Sequence, residues 1–268
     1  MTGVFISAKK DGTVSYRASI TFRTKHISLG SFDSEEAANA AYLAASVILC
    51  GDKRLTPDDY PIRDAALPFK KWVVLTNFKN NGIYIKTPIY LQTKFFQYFL
   101  SPTDVLLFDA DDLFYYSNHS IMRRGNHLFV AEYGMQTNIV SRYGIRNFAR
   151  QGIDYRFVNG DDHDFRYENI EILNPYQGVT IKQNNIKKTY TAKIHIHGNY
   201  TIGVFQSIQE AAIAYNKTVD FLFEHGFRKN FEKNYIENMT SEQYRNIYNL
   251  ITIPDNIKQF ILNYNSFL

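Results

Sequence analysis

The sequence predicts an α+β protein in which two small modules, each a three-stranded antiparallel sheet with one helix, flank a mixed α+β centre and are followed by a helical tail. Three observations carry this reading. A segment near the start recurs near residue 178. Within each copy, a period-two alternation of apolar and polar residues gives way to helical spacing. The 268 residues are 45% hydrophobic, 21% charged and 16% aromatic, enough for more than one core and too apolar for extensive disorder.

The repeat pairs GVFISAKKDGTVSYRASITFRTKHISLGSFDSEEAANAAY with GVTIKQNNIKKTYTAKIHIHGNYTIGVFQSIQEAAIAY. Gly3-Val4 matches Gly178-Val179, Tyr16-x-Ala18-x-Ile20 matches Tyr190-x-Ala192-x-Ile194, and Gly30-x-Phe32 matches Gly203-x-Phe205. From that last glycine to Tyr42 and Tyr215 the offset stays at 173 residues without a gap. In the first copy Tyr16, Ala18 and Ile20 alternate with Arg17, Ser19 and Thr21; in the second, Tyr190, Ala192 and Ile194 alternate with Thr191, Lys193 and His195. Such alternation sets one face on a core and the other in solvent. Asp11-Gly12 reads as a hairpin turn, as does Gly198-Asn199. After Phe32 the period changes: Ser34 or Asp33 caps a helix with Glu36 in its first turn, and Ala37, Ala38, Ala41, Tyr42 and Ala45 form a stripe that packs on the sheet. Gly51 and Gly226 mark the two helix ends.

The organisation that follows is residues 1–54 and 176–230 for the two modules, 55–175 for the centre and 231–268 for the tail. Net charges are +2 and +4 for the modules and −1 each for centre and tail, within a total of +4. Positive charge is therefore concentrated in the repeated parts. The single cysteine, Cys50, excludes an intramolecular disulfide framework and reads as an inert packing residue. The start lacks the apolar core of a signal peptide and no apolar run reaches membrane length, so the expectation is a cytoplasmic protein without membrane contact.

The pattern GV, YRASI, LGSFDSEEAANAAY, repeated as YTAKI, IGVF, EAAIAYN, resembles the plant ethylene-response-factor DNA-binding domain, the Apetala-two family, which also occurs in integrases and homing endonucleases. The two copies cover about two-fifths of the chain. The resemblance implies a sheet lying in the major groove of double-stranded DNA with the helix behind it. Alternation assigns the outer face independently: Phe5, Ser7, Lys9, Arg17, Ser19, Thr21, His26 and Ser28 in the first copy, and Thr180, Lys182, Thr191, Lys193, His195, Asn199 and Thr201 in the second. A ribbon of this width fits the major groove, where Arg or Lys reads guanine and Asn reads adenine. Lys10, Arg23, Lys25, Lys187 and Lys188 stand where phosphates would pass. The plant domains carry several Arg and Trp on this face, mostly replaced here by Phe5, Ser7, Ser19, Thr21, His26 and Ser28, so their target sequence does not transfer.

In the centre, YRFVNGDDHDFRYENIEILN resembles the core of HNH homing endonucleases: Asn159-Gly160 matches the turn, Asp164 an Asn/Asp position, and Arg166-x-Glu168-Asn169-Ile170 the helix. Phe157 stands where the family's water-activating histidine would be, and phenylalanine can neither accept a proton nor bind a metal. The expectation is a degenerate nuclease scaffold with no catalytic, metal or cofactor residues. The alternative is a metal-dependent nicking enzyme using His163 with Asp161, Asp162 and Asp164. FDADDLFYY reads as a turn between strands, and His195-x-His197 as two side chains on one strand face. Tyr244, Ile247, Tyr248 and Ile251 at helical spacing, with a break at Pro254, give a tail of two short helices that packs on the second module, a homodimer contact being the runner-up role. The functional expectation is sequence-specific binding of double-stranded DNA without catalysis, as in transcription regulation or a domesticated mobile-element or phage protein. A protein-binding adaptor is the remaining alternative.

Overall fold

A computed structural model describes residues 2–8, 13–132, 134–183 and 187–266. It has six helices and five small antiparallel sheets of two or three strands among the described residues, the mixed α+β class with a helical C-terminus. Two compact units divide the chain: Met1–Tyr143 with Phe157–Ile170, and Gly144–Arg156 with Glu171–Leu268.

The first unit opens with a meander of β1 (Val4–Ala8), β2 (Val14–Phe22) and β3 (Lys25–Phe32), followed by α1 (Glu35–Cys50). Ser34 holds extended backbone and its hydroxyl accepts from the Ala37 amide, while Glu35 and Glu36 sit in the first turn, where acids favour the helix dipole. Ala38, Ala41 and Ala45 are fully buried: with no side chain beyond Cβ, they let the helix lie against Ala18, Ile27 and Leu29 of the sheet. The same core takes in Trp72, Leu75 and Phe78 of α2 (Phe69–Asn81). Trp72 satisfies its indole by donating to the Thr56 carbonyl at 2.9 Å. Cys50 ends α1 exposed, not packed as expected, because the buried stripe turns away through Ile48 and Leu49.

A second meander follows, β4 (Ile89–Leu91), β5 (Phe95–Phe99) and β6 (Val105–Asp109), then α3 (Leu113–Asn118) and a third meander of β7 (Ile121–Arg124), β8 (His127–Glu132) and β9 (Met135–Asn138). The FDADD stretch is thus not a simple turn between strands. Ala110–Asp112 forms a 3₁₀ turn that runs into α3, and Asp112, 2% exposed, accepts from the Arg142 guanidinium. Rings fill the core of this part: Phe108 lies 5.4 Å from Phe96, 4.2 Å from Tyr116 and 5.5 Å from Phe165. A two-stranded sheet pairs β10 (Tyr155–Phe157) with β11 (Ile170–Ile172).

The second unit repeats the opening motif as β12 (Val179–Gln183), β13 (Lys188–His195), β14 (Asn199–Phe205) and α4 (Ile208–Glu224), capped by the Ser207 hydroxyl. The tail forms α5 (Ser241–Leu250) and α6 (Asp255–Asn265). Ile257 and Ile261 enter the core around α4, with Tyr244, Ile247, Tyr248 and Ile251 packed against it. The packing expected of the tail is what the second unit displays.

The two copies agree in detail. Val4 faces Ala18 as Val179 faces Ala192. The Gly3 carbonyl accepts from Ser19 N and the Gly178 carbonyl from Lys193 N. Each of these glycines takes a positive φ, +73° and +70°, and the place where a Cβ would stand is filled by the ring of Tyr42 or Tyr215. One extra residue, Leu29 in the first copy and Ile202 in the second, makes the same bulge before Gly30 and Gly203.

Candidate nucleic-acid interface

The helix covers one face of each sheet, so the alternation of β2 and β3 leaves the other face outward. There Phe5 pairs with Arg17 and Arg17 with Ser31, Ser7 with Ser15, Ser19 with Ser28, and Thr21 with His26. Arg17, Thr21, His26 and Ser28 are exposed, Phe5 is 60% exposed, and Ser7 and Ser19 are half-buried. Thr21 Oγ1 lies 3.3 Å from His26 Nδ1 across the strands. Arg23 and Thr24 make the tip of the hairpin with φ of +46° and +65°, a left-handed pair that costs non-glycine residues energy. The Arg23 guanidinium lies 5.1 Å from the Phe22 ring and Lys25 Nζ 5.2 Å from Tyr84, so both cationic stems are braced on aromatic surface. Lys9, Lys10 and the Asp11-Gly12 turn lie outside the described residues.

In the second copy Lys182, Lys193, His195, Asn199 and Thr201 are exposed and Thr180 is half-buried. His195 Nδ1 is 3.0 Å from Asn199 Oδ1. A carboxamide oxygen only accepts, so the imidazole donates here, and its other nitrogen together with the Asn199 amide is left for an outside partner. Thr191 departs from the expectation: it is 3% exposed and its hydroxyl is buried without a partner among the described residues. It occupies the central strand directly between Thr180 and Val204, and a short side chain there cannot rise above its cross-strand neighbours as Arg17 does at the matching position. His197 is likewise not on a strand face. It sits in the β13–β14 turn at φ +56°, its ring 5.8 Å from Phe227 and 5.9 Å from Phe260.

Two residues on these faces escape a plain alternation reading: Ser31 and Val204, both exposed and both paired across the central strand. The bulge reverses the parity of β3 and β14 just before them. The signal for it is the glycine inside each strand, Gly30 and Gly203.

The HNH-like stretch folds as a clamped turn. Phe157 is buried with its ring 5.5 Å from Phe165, an apolar anchor at the start of the turn. Gly160, at φ +81°, closes the turn by donating to the Phe157 carbonyl. Asn169 accepts from Asn159 N and donates to the Asp164 carbonyl, both at 2.8 Å. The segment expected as a helix is a single 3₁₀ turn, Tyr167–Asn169, because β11 begins at Ile170. Asp164, 1% exposed, binds Arg166 Nε at 2.8 Å and Nη2 at 2.6 Å and accepts from Asn159 Nδ2 at 3.0 Å. Burial opposes its ionisation, but the Arg166 guanidinium and backbone N–H outweigh that and hold the carboxyl below the usual carboxylate range. Asp164 is therefore a strut of the turn. Asp161, Asp162 and His163 do bring ligand atoms within 4.8 Å of one another on the surface. His163 Nδ1 lies 2.7 Å from Asp162 and Nε2 lies 3.3 Å from Asp104.

No helix among the described residues is long and apolar enough to cross a membrane. Comparison with protein-family models, with curated proteins and with solved structures finds no match for this chain.

Proposed function

We propose that this chain binds double-stranded DNA sequence-specifically and without catalysis, laying the outer faces of its two sheet-and-helix modules into the major groove. It would serve as a regulator or as a protein descended from a mobile-element or phage nuclease. The observation that carries the reading is the repetition of one face. Two sheets of identical register present exposed cationic and hydrogen-bonding side chains on the side away from the helix, and both belong to the net-positive parts of the chain. Side chains of that length and chemistry match the donor and acceptor pattern of base edges, and Arg23, Lys25, Lys187 and Lys188 suit phosphates. Likeness to the Apetala-two pattern supports the same reading.

A mobility-shift titration with the double variant Arg17→Ala/Lys193→Ala tests it. Both side chains are exposed, so the fold should be kept while affinity for a selected duplex drops by about tenfold or more. Unchanged affinity removes the faces from the interface. The nicking alternative rests on Asp161, Asp162 and His163 alone, since Asp164 is committed to Arg166. Plasmid incubated with magnesium or manganese and excess protein should remain unnicked.

A further inference from the structure

Resting on that reading, we infer that the two faces are tuned to different base sequences, so that the preferred duplex carries two unlike half-sites. The common scaffold makes the comparison position by position. Strand register, the bulge and the glycine–tyrosine contact coincide, so both sheets would seat alike on a duplex, and only the outward side chains differ.

At the centre of the first face Arg17 is exposed between Phe5 and Ser31. The matching Thr191 is buried and offers nothing. Two residues further along the same strand the relation reverses: half-buried Ser19 pairs with Ser28, whereas exposed Lys193 pairs with Thr201. The long cation is thus displaced by two residues, about 7 Å along the strand, or about two base-pair steps at 3.4 Å each. At the far end the first face places Thr21 on the middle strand and His26 on the edge strand; the second places His195 on the middle strand and Asn199 on the edge. A carboxamide suits adenine and a Lys or Arg suits guanine. Identical seating therefore puts guanine contacts at different steps of the two half-sites and adds an adenine contact to the second only.

Selection of bound fragments from random duplexes with the full chain tests this, repeated with Arg17→Ala, with Lys193→Ala and with Arg17→Thr/Ser19→Lys. Thermal melts first establish that each variant keeps the parent fold. The expected motif is bipartite with unlike halves. Arg17→Ala relaxes one half and Lys193→Ala the other, each weakening the selected site by about 5- to 150-fold. The double exchange moves the guanine of the first half towards the step used by the second. Two copies of the same half-site in either orientation, or both alanine variants relaxing the same positions, would overturn the inference while leaving DNA binding intact. Enrichment of no duplex, with flow-through from DNA-cellulose at low salt, overturns the function proposed above and this inference with it.

Discussion

The repeated glycines state most plainly what single residues contribute. A Cβ on Gly178 would lie 2.2 Å from the Tyr215 ring and 2.5 Å from the Lys193 carbonyl oxygen, at a φ that L-residues avoid. Gly160 has a similar φ, +81°, with nothing within 4 Å. Gly178→Ala should therefore cost at least about 2 kcal/mol, left-handed strain plus overpacking, and Gly160→Ala about 1 kcal/mol from strain alone. Urea denaturation of the two variants measures the difference; equal costs would mean that Tyr215 can yield. Recurrence of Gly and Tyr in both copies is visible in the sequence, but the contact that ties them is not, because it joins residues far apart along the chain, 39 positions from Gly3 to Tyr42 and 37 from Gly178 to Tyr215. The outward residues of the central strands were legible from alternation. Ser31 and Val204 were hidden by a bulge, and the burial of Thr191 depends on which neighbours flank it, information that one strand alone does not contain.

Among the elements, α1 and α4 share an inner stripe, Ala38 and Ala41 matching Ala211 and Ala214, and differ outside. Leu43 is 54% exposed, whereas the matching Asn216 is 2% exposed, donating to the Asn234 carbonyl and to the Tyr244 hydroxyl. Helical spacing predicts the inner stripe in both. It cannot predict that the later chain returns to cover one outer face, where Asn216 becomes a buried bracket. The turn from Phe157 to Asn169 was legible at its Asn-Gly but misread as leading into a helix, because the Asn169 side chain is spent on the turn and β11 follows at once. Asp164 gives this element a pH signature. Its folded pKa is depressed, so its stabilisation is fully present above the unfolded value of about 3.9 and is lost as pH falls through the folded value. Asp164→Asn should cost about 1–3 kcal/mol near pH 7. That difference from the parent should shrink steadily below about pH 4, when the parent's carboxyl protonates too. Denaturant titrations of both proteins at pH 7 and pH 3 check this, and a difference that grows on acidification contradicts the ion-pair account.

At the scale of the molecule, each compact unit holds one copy of the module, and the second also takes in the tail and Gly144–Arg156. Arg150 donates to the Ile181 carbonyl, and Asn174 bridges Asp154 and the Val179 carbonyl. These are bonds to backbone and buried carboxylate, for which composition and charge carry no signal, whereas the positive charge of the two modules was legible from counting alone. If both units meet one duplex, linkage raises affinity through effective concentration, and salt dependence reports how many phosphates are engaged. Arg23 and Lys25 in one unit, with Lys187 and Lys188 in the other, are exposed. At about 0.9 per phosphate, four contacts give a log–log salt slope near −3.6. Lys187→Ala/Lys188→Ala should reduce that slope by about 1.8 and weaken nuclease protection at the end of the footprint held by the second module. Binding isotherms at four or five salt concentrations measure the slope. A double variant with the parent slope and the parent footprint would mean that Lys187 and Lys188 do not meet the phosphates.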